Sequence, residues 1–227
     1  MSAPYVILTD LQTSTQLNSF YSYGLILSSQ NIGLPPVKSN YISIEGMNGS
    51  LDMSEVFGEV LYNDRTLTFT FNIVNNTYAW DELRTKIAND IHGKRFKIEI
   101  YSDPNYYYIG RCLIDKYQSS RALGTIVLKC TCEPYKYGQE FYSVYTLGSG
   151  TNATVNSEFN VDGAAVKILC DTLGATSDVK FKIDNGTTYT VAKGQTAYYP
   201  TLIGSGSHTI QVIGQGTAAI RFTNRSI

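Results

Sequence analysis

Asp52, Glu55, Glu59 and Asp64 come closest to a set of residues with chemistry to offer. Two carboxylates flanking a glycosidic bond suffice for hydrolysis, one as acid and the other as base or nucleophile. These four sit among residues chosen for backbone shape: Gly46, Asn48, Gly49 and Ser50 precede them, and Asn63 adjoins Asp64. Acids in such a stretch ordinarily face water, whereas a general acid needs an environment that raises its pKa. Their spacing departs from the Asp-x-Asp-x-Asp-Gly pattern of a calcium loop, so no metal is assigned. The two histidines, His92 and His208, lie outside any nucleophile motif. Neither G-x-S-x-G, H-E-x-x-H nor a phosphate-binding G-x-x-x-x-G-K-[ST] occurs. No catalytic residue, metal ligand or cofactor site is expected, and the chain reads as a non-enzyme.

Cysteines 112, 130, 132 and 170 form no C-x-x-C pair, which excludes a zinc knuckle and a thioredoxin-like motif. Alternation in TIVLKCTCE places Ile126, Leu128, Cys130 and Cys132 on one strand face, as expected of buried free thiols behaving as small apolar side chains. Tyrosine runs at Tyr106, Tyr107 and Tyr108, and at Tyr198 and Tyr199, can offer flat amphipathic faces to a glycan or a protein. Strand tyrosines also commonly bury the ring and keep the hydroxyl near water. Asn-x-Ser/Thr triplets at Asn48, Asn75, Asn152, Asn185 and Asn224 read as turn composition.

The elements that must carry these residues are mostly strands. TLTFTFNI sends Leu67, Phe69, Phe71 and Ile73 one way and threonines the other, the two-residue period of a half-buried strand. KRFKIEI, YYYIGRCLI and TIVLKCTCE repeat the pattern, with the polar DKYQSSRALG as a hairpin connection or a longer excursion. Only TYAWDELRTKIANDIHG has a helical period, through Trp80, Leu83, Ile87 and Ile91. Asn76 or Thr77 can cap its start. Asp81 and Glu82 suit its positive end, protonated His92 its negative end, and Gly93 a left-handed stop. Beyond CEPYKYGQEFYSVYTL the chain turns rich in Gly, Thr, Ser and Asn and loses its helix signals. A boundary between Pro134 and Leu147 is expected, giving domains 1–137 and 138–227. Asn185-Gly186 between alternating runs is the strongest hairpin signal of the second part, His208 sits in a turn before a strand, and spacing predicts a small antiparallel sandwich.

The totals agree with globular β domains. The 227 residues can bury one large core or two smaller ones, and 43% hydrophobic content with 18 tyrosines is ample. A net charge of -1 gives no footprint for phosphate backbones, so sequence-specific nucleic-acid binding is not expected. No apolar run is long enough to span a bilayer. The first residues lack a basic segment followed by an apolar one, so secretion through a signal peptide is not expected.

Taken in order, the stretch IEGMNGSLDMSEVFGEVLYNDRTLTFTF, the single helix, FKIEI and the ending CTCEPYKYG resemble the N-terminal domain of phage distal tail proteins (Dit). The likeness rests most on the Gly46, Gly49, Leu51, Asp52 spacing, on Tyr62 and Arg65 before the long strand, and on Pro134 and Tyr135. It covers about the first three fifths of the chain. The remainder is similar to the galectin-like or carbohydrate-module-like sandwich that follows in that family. The resemblance implies a mainly β fold: an N-terminal β-sandwich-like domain with one short helix, then the galectin-like sandwich. It also implies a structural virion component, a baseplate hub at the distal end of a siphophage tail, made in the host cytoplasm. Its partners would be five further copies in a homohexameric ring, the major tail tube protein, a tail tip protein and receptor-binding proteins.

A closed ring needs two different complementary surfaces on each subunit. The loop carrying Gly46, Gly49, Leu51, Asp52, Met53, Glu55 and Phe57 would be an arm reaching a neighbour, with Arg65 pairing to an acid such as Asp52 or Glu55 within or across subunits. The alternative function is a carbohydrate-binding module recognising cell-wall glycans through Tyr198 and Tyr199.

Overall fold

Inward-outward alternation in the sequence becomes strand after strand in the structure, a computed structural model that describes residues 3–56, 60–73, 80–119, 123–147, 153–159, 165–202 and 206–227. The chain divides into two compact units, Met1–Lys136 with Ile227, and Tyr137–Ser226.

The first unit contains β1 (Val6–Asp10), β2 (Gln16–Asn18), α1 (Ser19–Tyr23), β3 (Leu25–Ile32), β4 (Tyr41–Ser43), β5 (Ser50–Asp52), β6 (Arg65–Ile73), α2 (Trp80–Ile91), β7 (Arg95–Ile100), β8 (Asp103–Ser119) and β9 (Gly124–Cys132). Its main sheet runs β3-β6-β9-β8-β7-β1-β2, antiparallel throughout. The Leu27 N–H donates to the Pro4 carbonyl at 3.0 Å, which draws β3 back towards the start of β1. Residues on the enclosed face, among them Leu67, Phe69, Phe71, Phe96, Ile98, Ile126 and Leu128, form one core with α2. Leu83, Ile87 and Ile91 make the helix stripe that enters this core, each worth about 2 kcal/mol of apolar burial. The expected caps Asn76 and Thr77 lie outside the described residues, while Gly93 takes the left-handed conformation at the other end.

Two expectations about this unit need correction. Besides α2 there is a second helix, α1, capped by the Asn18 side chain, which accepts from the N–H groups of Phe20 and Tyr21. Five residues make barely more than one turn, too few to show a period in sequence. The polar stretch after Ile114 holds the β8–β9 hairpin connection, one of the two expected forms, but its first half is strand. β8 continues through it to Ser119 with a bulge between Ile114 and Lys116, because its outward residues face solvent while Tyr117 packs on the core.

The second unit contains β10 (Lys136–Leu147), β11 (Ala153–Phe159), β12 (Ala165–Ala175), β13 (Val179–Ile183), β14 (Tyr189–Val191), β15 (Thr196–Leu202), β16 (Gly206–Ile213) and β17 (Gly216–Ser226). Four strands run β15-β12-β17-β10 and four run β11-β16-β13-β14. Cys170, Ile220 and Phe222 from the first set meet Phe181, Ile210 and Val212 from the second, the packed core of a sandwich. The hairpin signalled by Asn185-Gly186 is present as β13–β14, with the Gly186 N–H bonded to the Ile183 carbonyl at 2.9 Å. His208 lies within β16, opposite Ser157, and not in a turn before a strand. The fold is mainly β, as the sequence indicates.

Candidate interaction surface

Between β3 and β6 the chain leaves the first unit and returns as a two-chain arm. Near its root the Gly33 N–H donates to the Thr66 carbonyl at 3.1 Å, and Asn63 N–H to Pro36 at 2.8 Å. Further out Lys38 N–H reaches Leu61 at 2.7 Å, Val37 bridges Tyr62, and Met53 N–H donates to Asn40 at 2.8 Å. The outer part is the β4–β5 hairpin, registered Tyr41 to Asp52, Ile42 to Leu51 and Ser43 to Ser50. Its connection turns through Gly46 and Gly49, both in the left-handed region with φ of 83° and 81°, which glycine enters without a Cβ penalty.

All six residues of β4 and β5 are exposed. Ile42 and Leu51, opposite one another on one face of the ribbon, keep 46% and 41% of their surfaces open to water, and Ile44, Met47 and Val56 of the same arm are exposed too. A lone two-stranded hairpin is marginal in water, and a contiguous apolar stretch on one marks a contact surface. Asp52 sits on the opposite face. Its carboxyl is held below the usual carboxylate range by the side chain and N–H of Ser54, the latter donating at 2.9 Å. That shift keeps it ionised, the reverse of what a general acid requires. Glu55 and Asp64 are exposed as well, while Phe57 and Glu59 lie outside the described residues. Among the described residues no group of three or more His, Cys, Asp or Glu could hold a metal.

Arg65 is placed apart from these acids. It opens β6 pointing into the first unit, 2% exposed, and its guanidinium stays there. Nε donates to the Gly33 carbonyl at 2.9 Å and Nη1 to the Pro134 carbonyl at 3.3 Å, with the group 5.1 Å from the centre of the Tyr108 ring. Burial lowers its pKa, yet arginine stays charged at any ordinary pH. The pairing expected with Asp52 or Glu55 is absent from the chain's described ion pairs, because carbonyls and a ring already satisfy the buried charge. Arg65 thus ties both roots of the arm, Gly33 and its own position, to the end of the unit at Pro134. Tyr62 meets Tyr135 edge-on at 6.2 Å in the same place. Sequence reasoning missed this clasp, although a signal existed: Arg65 is in phase with the inward Leu67, Phe69 and Phe71.

The other candidates are dispersed. Tyr108 is buried beneath Arg65, while Lys136 and Lys97 cover the rings of Tyr106 and Tyr107 at 4.3 and 4.5 Å. Tyr198 and Tyr199 lie in β15, paired in backbone register with Leu169 and Ile168. His92, just past the end of α2, accepts the Ile114 N–H at its Nδ1, 3.1 Å away. The free-thiol expectation for the TIVLKCTCE strand holds for Cys132, which is buried, and fails for Cys130, which is joined to Cys112 as a disulfide; Cys170 is a buried free cysteine. Cys112 directs its N–H and carbonyl to Lys94 and Gly93, away from β9, so it and Cys130 form a non-hydrogen-bonded cross-strand pair with close side chains.

No protein-family model matches the sequence, and no curated protein does. The fold, by contrast, resembles that of a solved phage tail hub protein. The chain superposes on the Dit protein (gp 19.1) of phage SPP1, described as a paradigm of the hub adsorption apparatus in phages infecting Gram-positive bacteria. The TM-score is 0.65 at 13% identity, covering 100% of both chains. An exo-β-1,3-galactanase from Phanerochaete chrysosporium solved with galactose superposes at a TM-score of 0.27 and 8% identity, over 87% of this chain and 69% of that one. A score that low carries no argument for fold or glycan chemistry.

Proposed function

We propose that this chain is a distal tail hub protein, a non-enzymatic virion component of a long-tailed phage. Six copies would close into a ring through their first units, with the second units as a galectin-like decoration. One ring face would dock the tail tube protein and the other the tip and receptor-binding apparatus. A single observation carries the reading: an exposed arm with an apolar face, clasped at its root by a buried arginine, on a fold shared along its whole length with SPP1 Dit. An unpartnered ribbon of this kind gains stability only when something covers it. In a head-to-tail ring the neighbouring copy does so.

Light scattering of the full chain across a concentration series tests the reading, with electron micrographs of the same samples. The expected species has six times the 25.1 kDa protomer mass and a central hole. Replacing Ile42 and Leu51 with serine should abolish it while leaving circular dichroism unchanged. A protein that remains monomeric at every concentration, alone and mixed with tail tube protein, would overturn the proposal.

A further inference from the structure

If the arm seeks a second copy, that copy must present a matching surface, and one face of the first unit has the required chemistry. β6, β9 and β8 lie side by side with their outward residues in rows: Thr66, Thr131 and Arg111; Thr68, Lys129 and Leu113; Thr70, Val127 and Lys116. Leu113 stands opposite Lys129, and Lys116 opposite Val127, so cations and apolar side chains alternate across the β8–β9 pair. Leu113 is 40% exposed, and Arg111, Lys116 and Lys129 are exposed too. Asp115, in the bulge, is the acid of this patch. Arg111 donates to the Gly93 carbonyl, whereas Lys116 and Lys129 take part in no ion pair among the described residues.

The arm has the opposite composition. Lys38 is its one cation among the described residues, against Glu45, Asp52, Glu55 and Asp64, and its apolar pair Ile42 and Leu51 lies one residue from Asp52. In a chain of net charge -1, acids have gathered with exposed apolar residues on one surface and bases with exposed apolar residues on another. Two different, mutually complementary surfaces are what a head-to-tail contact requires, and opposite charge sets its register.

We propose that the outer β8–β9 face, centred on Leu113, Lys116, Val127 and Lys129, receives the β4–β5 arm of a second copy. Ile42 and Leu51 cover Leu113 and Val127, and Glu45 and Glu55, just beyond the paired strands of the ribbon, meet the two lysines. The inference rests on the arm reading above.

Three full-length variants test it, all altered only at exposed positions: Lys116→Glu with Lys129→Glu, Glu45→Lys with Glu55→Lys, and all four together. Circular dichroism verifies that each is folded. Either double reversal should weaken self-association about tenfold or more, and the fourfold variant should recover most of it, because the charges are exchanged and not lost. Wild-type association should weaken as salt rises. Undiminished assembly of the lysine reversal overturns this proposal alone and leaves the arm reading standing. So does a fourfold variant that fails to recover while the lysine reversal loses binding to tube protein or DNA, since the face then serves another partner. A wild-type chain that never associates overturns both.

Discussion

Arg65 donates from Nε to the carbonyl of Gly33 at 2.9 Å, joining positions 32 residues apart at the point where the arm leaves the first unit. Its second donor holds Pro134, so three segments meet on one planar group. Arginine alone among the side chains offers several donors fixed in a plane with a charge that burial does not remove. Arg65→Lys should therefore fail to replace it. Both Arg65→Lys and Arg65→Met are expected to lose about 2–3 kcal/mol, the usual cost of removing hydrogen bonds to a charged donor. Urea unfolding followed by tryptophan fluorescence measures the loss, and an unchanged midpoint would show that the clasp is dispensable.

Gly33 is needed for space. A Cβ there would lie 2.9 Å from the Thr66 carbonyl oxygen, a backbone atom that cannot swing aside. Gly33→Ala should cost about 1–3 kcal/mol through forced backbone movement. Gly46→Ala, at the open tip, should leave the unfolding midpoint of the first unit nearly in place. Equal midpoints for the two variants would remove the steric explanation.

The sequence shows the strands, because each carries its own inside-outside record, and α2, because three turns suffice for a period. It does not show which strand lies beside which. Nothing near Cys112 announces Cys130, since their meeting depends on the β8–β9 register. The arm was visible as small and acidic residues without a helix or strand core, but its two-chain pairing depends on contacts such as Lys38 with Leu61. The charge of Arg65 suggests a partner for acids, but its phase with Leu67 and Phe69 assigns it to the interior.

Thiol chemistry distinguishes the four cysteines. Burial pushes the Cys132 thiol up to about 12 and the Cys170 thiol up to about 11, leaving almost no thiolate near neutrality. Native protein at pH 8 should react negligibly with iodoacetamide. After unfolding without reductant two thiols should be modified by mass, and with reductant four. Four without reductant would exclude the Cys112–Cys130 bond.

The same burial predicts a loss of stability in alkali. A thiol whose pKa is raised by folding favours the folded state as long as it stays protonated. That contribution is complete below the unfolded value of 9.0 and disappears as pH rises towards about 12. Tyr23 and Tyr108, raised first of all by burial, act in the same direction. Urea midpoints should be level up to pH 8 and decline above pH 9, less steeply in Cys132→Ala. A flat profile to pH 11 would contradict the buried, protonated thiol.

Trp80 is the single tryptophan of the chain. It opens α2, packs on the first unit's core, holds its indole where a Gly124 Cβ would fall, and has its carbonyl bound by the Tyr117 hydroxyl at 2.9 Å. The protein is therefore labelled by nature in one half only. Its ultraviolet emission above 320 nm watches the unit that bears the arm, while the second unit can melt, bind or rearrange without changing the colour of that light.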